Sequence, residues 1–448
     1  MMFTEEPLIN VGIITDKKIS FELYGEFKVT GSKDTYSGLF NAEVTDDRIV
    51  CSSNTSSYEF SDEVFFEPGD LFSDSFLVKD VIIGVGFHWQ RKESQQFNHS
   101  LKLVRYKDNL IAINILPLED YLTSVISSEM NAKSFLQSLK AQAVVSRSWV
   151  LAQLEKSELV NTDESLADEN QAQDEHIRWY SREQHTNFDV CADDHCQRFQ
   201  GITKITTDIA RKAVFETRGI VLMYDGNICD TRYSKSCGGI TENSKNVWEP
   251  IDRPYLKSVI DYKHEPDDFN LNFTKEVNAS KWINDYPPAY CNTDDETILS
   301  QILVDFDQET KDFFRWKLEY SQEELSAIIK EKSGFDFGNI IDLVPVERGQ
   351  SARLTKLKIV GSKKTLVVGK ELEIRRILSK THLYSSAFVI EKEFNDADIP
   401  VKFILSGAGW GHGVGLCQIG CAVMAEKGHE FDEILLHYFS NAAIKKIY

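Results

Sequence analysis

The stretch "LPLEDYLTSVISSEM", Leu116 to Met130, marks a change of pattern along the chain. Upstream, within residues 7–116, "INVGIIT", "ISFELYGEF", "DVIIGVGFHW", "LKLVRY" and "LIAINIL" read as strands separated by Gly, Asp, Asn and Ser. From Leu118 the apolar residues recur at helical spacing, and "SFLQSLKAQAVVSRSWVLAQL" from Ser134 repeats that pattern. The spacing predicts helices over roughly 118–130 and 134–156. The expected fold class is therefore α+β. A mostly-β region (1–110) precedes a mixed α/β core with a cleft (111–263). An inserted α+β module (264–400) then leads to a glycine-rich C-terminal part of the core (401–448).

The two helices each contradict their own apolar pattern. Counting about 100° per residue from Leu118, Leu122 falls near 40°, Val125 near 340° and Glu129 near 20°. In the second helix, counted from Leu136, Leu139, Ala143, Val150 and Leu154 fall within about 60° of one another, with Arg147 inside that stripe near 20°. A buried charge is costly unless paired or hydrogen-bonded. Two readings stay open: a structural Glu129–Arg147 ion pair, or a catalytic carboxyl in a cleft, whose partial burial would help it hold a proton near neutrality. Glu119 and Asp120 read as first-turn carboxylates favoured by the helix dipole.

The stretch "SGAGWGHGVGLCQIG" (Ser406–Gly420) has glycine at 407, 409, 411, 413 and 415. If it is extended, the glycines share one face, and Ala408, Trp410, His412, Val414 and Leu416 the other. The bare face would admit another backbone or a flat ligand. The alternative is a buried strand with His412 hydrogen-bonded inside. A small-residue turn, "SKSCGGITENS" (Ser234–Ser244), follows an expected hairpin over 213–235 with Asp225-Gly226 at its turn. Cys237 there is a candidate thiol nucleophile with His412 as its base.

Composition narrows the function classes. The 448 residues carry a formal charge of −20, with 42% hydrophobic and 27% charged residues. A field of that sign repels polyanions, which argues against nucleic acid as a partner. No apolar run reaches the roughly 20 residues of a membrane-spanning helix, and the start "MMFTEEPLINVGIITD" shows no signal-peptide pattern. The eight cysteines are too sparse for a disulfide scaffold and leave the redox compartment open. The acidic segment "EKSELVNTDESLADENQAQDEHIRW" reads as a surface insertion. In "HTNFDVCADDHCQRFQG", the imidazole and thiolates of His185, Cys191 and Cys196 are candidate zinc ligands beside His195, with one further ligand expected from elsewhere; the bland reading is a loop with two reduced cysteines.

Four blocks together resemble the stage II sporulation protein D family, which includes the amidase enhancers: Leu116–Trp149, Phe188–Gly201, Thr231–Asn243 and Gly409–Phe439. The resemblance implies action on peptidoglycan. It points to a lytic transglycosylase that cuts between N-acetylmuramic acid and N-acetylglucosamine in peptide-stripped strands and leaves 1,6-anhydro ends. The family's catalytic glutamate matches Glu129. The glycine face and Trp410 would hold sugar rings, with Ser236, the Cys237-Gly238-Gly239 turn, His412 and Gln418 hydrogen-bonding to them, and Arg147 shaping the cleft. Catalysis would need no cofactor, and His185, Cys191 and Cys196 would hold a structural zinc. The alternative is a non-enzymatic, glycan-binding enhancer of an N-acetylmuramoyl-L-alanine amidase. The implied location is the cell envelope. Cys417 and Cys421 depart from the family pattern, either staying reduced or pairing with each other.

Overall fold

Strand Lys18–Val29 shows the alternation that builds the N-terminal sheet: Ile19, Phe21, Leu23 and Phe27 point inward while the residues between them meet solvent. In the computed structural model, which describes residues 3–85, 90–159, 169–172, 174–180, 185–303 and 312–448, the fold is α+β. Two compact units are formed. The first comprises Met1–Glu158, Glu183–Val221 and Lys445–Tyr448, and the second Leu159–Arg182 with Leu222–Ile444.

In the first unit, Leu8–Asp16 pairs antiparallel with Asn109–Pro117 and parallel with Val190–Cys191. The sheet continues outward through Ser100–Tyr106, Glu63–Pro68, Lys18–Val29 and Thr35–Thr45. Rings of Phe21, Phe40, Tyr36 and Phe66, in stacked, tilted and edge-on contacts, fill its core. Helix α1 (Leu118–Met130) leaves the sheet directly at Pro117. Its first N–H groups, which no helical partner can satisfy, donate to Pro7 O at 3.0 Å and Glu6 Oε1 at 2.9 Å. Apart from Asp120 the whole of α1 is buried, so it is a core helix rather than a surface one. Three of its hydroxyls are satisfied within the helix: Thr123, Ser127 and Ser128 each donate to the carbonyl four residues earlier. Helix α2 spans Leu136–Leu159, close to the expected limits.

Residues 213–216, expected to open a hairpin, instead end a helix, Ile209–Glu216. The hairpin itself is shorter: Met223 and Tyr224 pair with Ile228 and Asn227 around Asp225-Gly226, both at positive φ.

In the second unit, Leu354–Gly361 and Thr365–Gly369 form strands beside Ile340–Arg348. Part of the acidic segment is built into this sheet. Glu175–Arg178 joins this sheet parallel to Thr365–Gly369, with Glu169–Ala172 at its edge; residues 160–168 and 173 of that segment lie outside the described ones. Strand Pro400–Ala408 lies between Arg315–Ser321 and Phe388–Phe394. The helix Gln322–Ser333 is capped as its sequence requires. Ser321 Oγ accepts from Glu324 N–H at 3.1 Å, and Gly334 takes the left-handed conformation. Among the described residues, no helix is long and apolar enough to cross a membrane.

Candidate functional site

Glu129 stands on the last turn of α1 and is 8% exposed. The backbone N–H of Arg198 donates to its Oε1 at 3.0 Å. The loop that carries Arg198 is pinned to the helices on both sides. Tyr121 Oη donates to Gln197 Oε1 at 3.1 Å, and the Phe199 ring stacks on Tyr121 at 5.3 Å. The glutamate is therefore held by a backbone group whose own position is set by packing.

Arg147 does not pair with Glu129. Its Nε and Nη2 donate to Glu119 Oε1 and Oε2 at 3.0 and 2.5 Å, and Nη1 donates to Ile220 O at 3.0 Å. Tyr448 Oη adds a bond to Glu119 Oε1 at 2.6 Å. At 0% exposure, Arg147 presents no surface that a substrate could touch. Glu119, read as a helix-dipole carboxylate, is instead the buried partner that this guanidinium requires. Asp120, by contrast, is exposed and meets His99 Nε2 at 2.8 Å.

Close to Glu129 in the fold, His185, Cys191, His195 and Cys196 converge, with one donor atom from each lying within 4.8 Å of the others. His185 Nε2 lies 3.4 Å from Cys196 Sγ, and His195 Nδ1 lies 3.8 and 3.6 Å from Cys191 Sγ and Cys196 Sγ. Two imidazoles and two thiols at this spacing fit a tetrahedral zinc. A fourth ligand for such an ion would be at hand within the motif, as His195, without one from a distant segment. Arg198 follows Cys196 by two residues, so an ion here would brace the loop that holds Glu129.

In the second unit the third and fourth sequence blocks meet. Ser236 N–H donates to Trp410 O at 3.1 Å and Trp410 N–H to Ser236 O at 2.8 Å, while Tyr233 and Ser234 pair parallel with Leu416 and Cys417. The glycine stretch is extended only as far as Ala408, where its strand ends; beyond it Gly409, Gly411, Gly413 and Gly415 all have positive φ. Its bare positions are filled by protein. A Cβ on Gly409 would fall 2.8 Å from Ser236 O, one on Gly413 2.4 Å from Arg353 Cζ, and one on Gly415 2.1 Å from Arg232 O. The glycines thus admit neighbouring chain segments and not a flat ligand.

Several expected surface donors are interior residues. Ser236, Cys237, Gly238, Gly239 and Gln418 are buried, and Ser236 Oγ and Gln418 Nε2 have no hydrogen-bond partner among the described residues. Trp410 and His412 keep partial exposure. Trp410 stacks on Tyr384 at 4.1 Å with Phe313 beside it at 4.8 Å. His412 Nδ1 accepts from Val414 N–H at 3.0 Å, and its ring also bonds the Tyr233 backbone. Packing around the ring, then the Arg375, Arg232 and Arg353 guanidiniums, hold it neutral, well below the usual histidine range. It is not placed as a base for Cys237, whose thiol burial pushes well up and whose sulfur faces Cys291. Among the described residues every cysteine is a free thiol, Cys417 and Cys421 included.

Two buried residues had no sequence signal. Arg353 donates from Nη2 to Gly411 O and from Nη1 to Cys237 O, both at 3.1 Å. Glu242 accepts from Gln350 and Ser351 N–H and from Ser351 Oγ. These particular partners lie between 58 and 116 residues away, beyond the reach of any local pattern.

Residues 106–224 match the family described as Stage II sporulation protein. This span, which holds Glu129, Arg147 and the His/Cys cluster, is thus similar to the stage II sporulation protein family. Residues 242–415 match a domain of unknown function (DUF8618), which covers the expected inserted module and most of the glycine stretch. Stage II sporulation protein D of Bacillus subtilis is 24% identical over 338 residues, 75% of this chain and 76% of that protein. The Bacillus subtilis amidase enhancer is 26% identical over 72% of this chain, which spans 40% of its length. An uncharacterized protein of Brachyspira hyodysenteriae is 21% identical over 99% of this chain and 94% of its own length.

Proposed function

We propose that this protein acts on the bacterial cell wall as a lytic transglycosylase, cleaving the bond between N-acetylmuramic acid and N-acetylglucosamine in peptide-stripped glycan. The observation that carries this reading is the mostly buried Glu129 carboxyl, held by the Arg198 N–H within the matched family span. That N–H favours an unprotonated Oε1, so the transferable proton belongs on Oε2. Glu129 gives it to the glycosidic oxygen as the bond breaks through an oxocarbenium-like state. The resulting carboxylate then removes the proton of the muramic acid 6-hydroxyl as that oxygen closes onto C1. One carboxyl serves both steps, so a second is not obligatory, unlike in the usual glycosidase pair. Zinc at His185, Cys191, His195 and Cys196 would be structural. The site of action would be the cell envelope.

Purified full chain incubated with denuded glycan strands should release anhydro-disaccharide ends, and Glu129→Gln should abolish that release. A folded wild type that releases none overturns the reading. The similarity to the amidase enhancer favours a second reading, in which the protein binds glycan and stimulates a separate amidase. Stimulation of an added amidase by the Glu129→Gln variant, with no anhydro product from wild type, would establish it.

A further inference from the structure

The buried core of the second unit gathers four chemistry-bearing side chains that the function above does not use. Cys237, Asp261, Cys291 and Cys417 come from four separate segments, and one donor atom from each lies within 4.8 Å of the others. Their exposures are 2%, 0%, 1% and 0%. We propose that these four residues form a closed, structural site for a single zinc ion, distinct from the His/Cys cluster of the first unit.

The spacing suits one ion. With zinc about 2.3 Å from each sulfur of a tetrahedron, sulfurs sit about 3.8 Å apart. Cys237 Sγ and Cys291 Sγ are 3.7 Å apart. A disulfide would need about 2.05 Å.

The surroundings hold the ligands as metal sites do. Cys237 N–H donates to Cys417 Sγ at 3.3 Å, and Cys291 N–H donates to Asp261 Oδ2 at 2.8 Å. Tyr438 Oη donates to Asp261 Oδ1 at 2.5 Å. Such outer bonds orient ligands and fix their charge state. Space is reserved as well: a Cβ on Gly420 would lie 2.4 Å from Asp261 Oδ1.

Charge balance points the same way. Asp261 is a fully buried carboxyl that no Lys, Arg or His bonds among the described residues, so its ionised form would need a cation beside it. Binding would release to solvent whatever protons the four ligands still carry and leave three thiolates, one carboxylate and one Zn²⁺, a net charge of about −2 by this ligand count. Two guanidiniums border the site: Arg315 Nη1 donates to Gly238 O and Arg353 Nη1 to Cys237 O, both at 3.1 Å. They offset that charge.

The test is metal stoichiometry of the full chain, purified without a metal-affinity step and loaded with zinc under reducing conditions. A Cys191→Ser/His195→Ala variant, which dismantles the first-unit cluster, should retain one equivalent. Cobalt(II) in its place should give the thiolate charge-transfer absorption of a tetrahedral, thiolate-rich site. Adding Cys291→Ser should remove that equivalent and the absorption. Should the triple variant fail to fold, the cobalt spectrum of the folded double variant decides alone. Less than a tenth of an equivalent in the folded, reduced double variant overturns the proposal. So does a native mass two hydrogens low with a Cys237–Cys291 peptide cross-link. Neither result bears on glycan cleavage, which rests on Glu129.

Discussion

The Arg198 N–H reaches Glu129 Oε1 from a position two residues past Cys196, so one short loop both contributes to the His/Cys cluster and holds the candidate acid. Turning that carboxyl away breaks its bond to the loop, and moving the loop withdraws the donor from the carboxyl. Geometry at Glu129 and the state of the cluster are therefore coupled within the first unit.

Glu129→Gln keeps the Arg198 contact through its amide oxygen but cannot carry a transferable proton. Release of anhydro ends should fall by at least about 100-fold, the lower range for general acid–base catalysis. The thermal midpoint should stay close to wild type. An unchanged rate would remove Glu129 from the chemistry.

Stripping zinc from the His185, Cys191, His195 and Cys196 set should loosen the Arg198 loop. Amide hydrogen exchange at Arg198 should accelerate after chelation, and glycan cleavage should fall with it. His195→Ala should behave likewise without chelator. Unaltered exchange at Arg198 would show that the loop needs no ion.

Removing one partner of the Glu119–Arg147 pair strands a buried charge, at a cost of about 3–5 kcal/mol. Both Glu119→Ala and Arg147→Met should therefore lower the urea midpoint strongly. The double substitution Glu119→Leu/Arg147→Met should recover part of the loss, since no lone charge remains. A loss below about 1 kcal/mol for either single variant, the range of surface pairs, would contradict the burial described here.

Gly413 has φ +74°, and a Cβ there would collide with the Arg353 guanidinium. Gly413→Ala should destabilise the protein by more than about 1 kcal/mol, combining backbone strain with displacement of a buried charge. Gly428→Ala, where a Cβ meets nothing within 4 Å, tests strain alone at φ +88° and should cost less.

His382 is pushed down to about 4, by burial first and then by Arg375, Lys332 and Arg376. Its unfolded value is near 6.5, so below that pH the unfolded chain binds the proton more readily than the folded one. Stability linked to His382 is fully present above about pH 6.5 and is lost progressively as pH falls towards about 4. His382→Gln should flatten the fall in thermal midpoint across that window.

What the sequence determined by itself is short-range. Both limits of α1, the Ser321 cap with Gly334, and the Asp225-Gly226 turn follow from spacing and φ preferences within a few residues, and packing left them unchanged. The helical count also showed that Glu129 and Arg147 face inward. It could not choose their partners, because an inward charge is satisfied by whatever the fold brings to it. Tertiary structure gave Arg147 to Glu119, 28 residues earlier, added Tyr448 from 329 residues away, and gave Glu129 a backbone N–H 69 residues on. His195 was visible in its motif, yet only the loop's folding turned its Nδ1 towards both sulfurs. The glycine run announced a close approach. Which atoms approach, and that they belong to this protein, depended on Arg353 and the 236–238 backbone arriving from distant sequence.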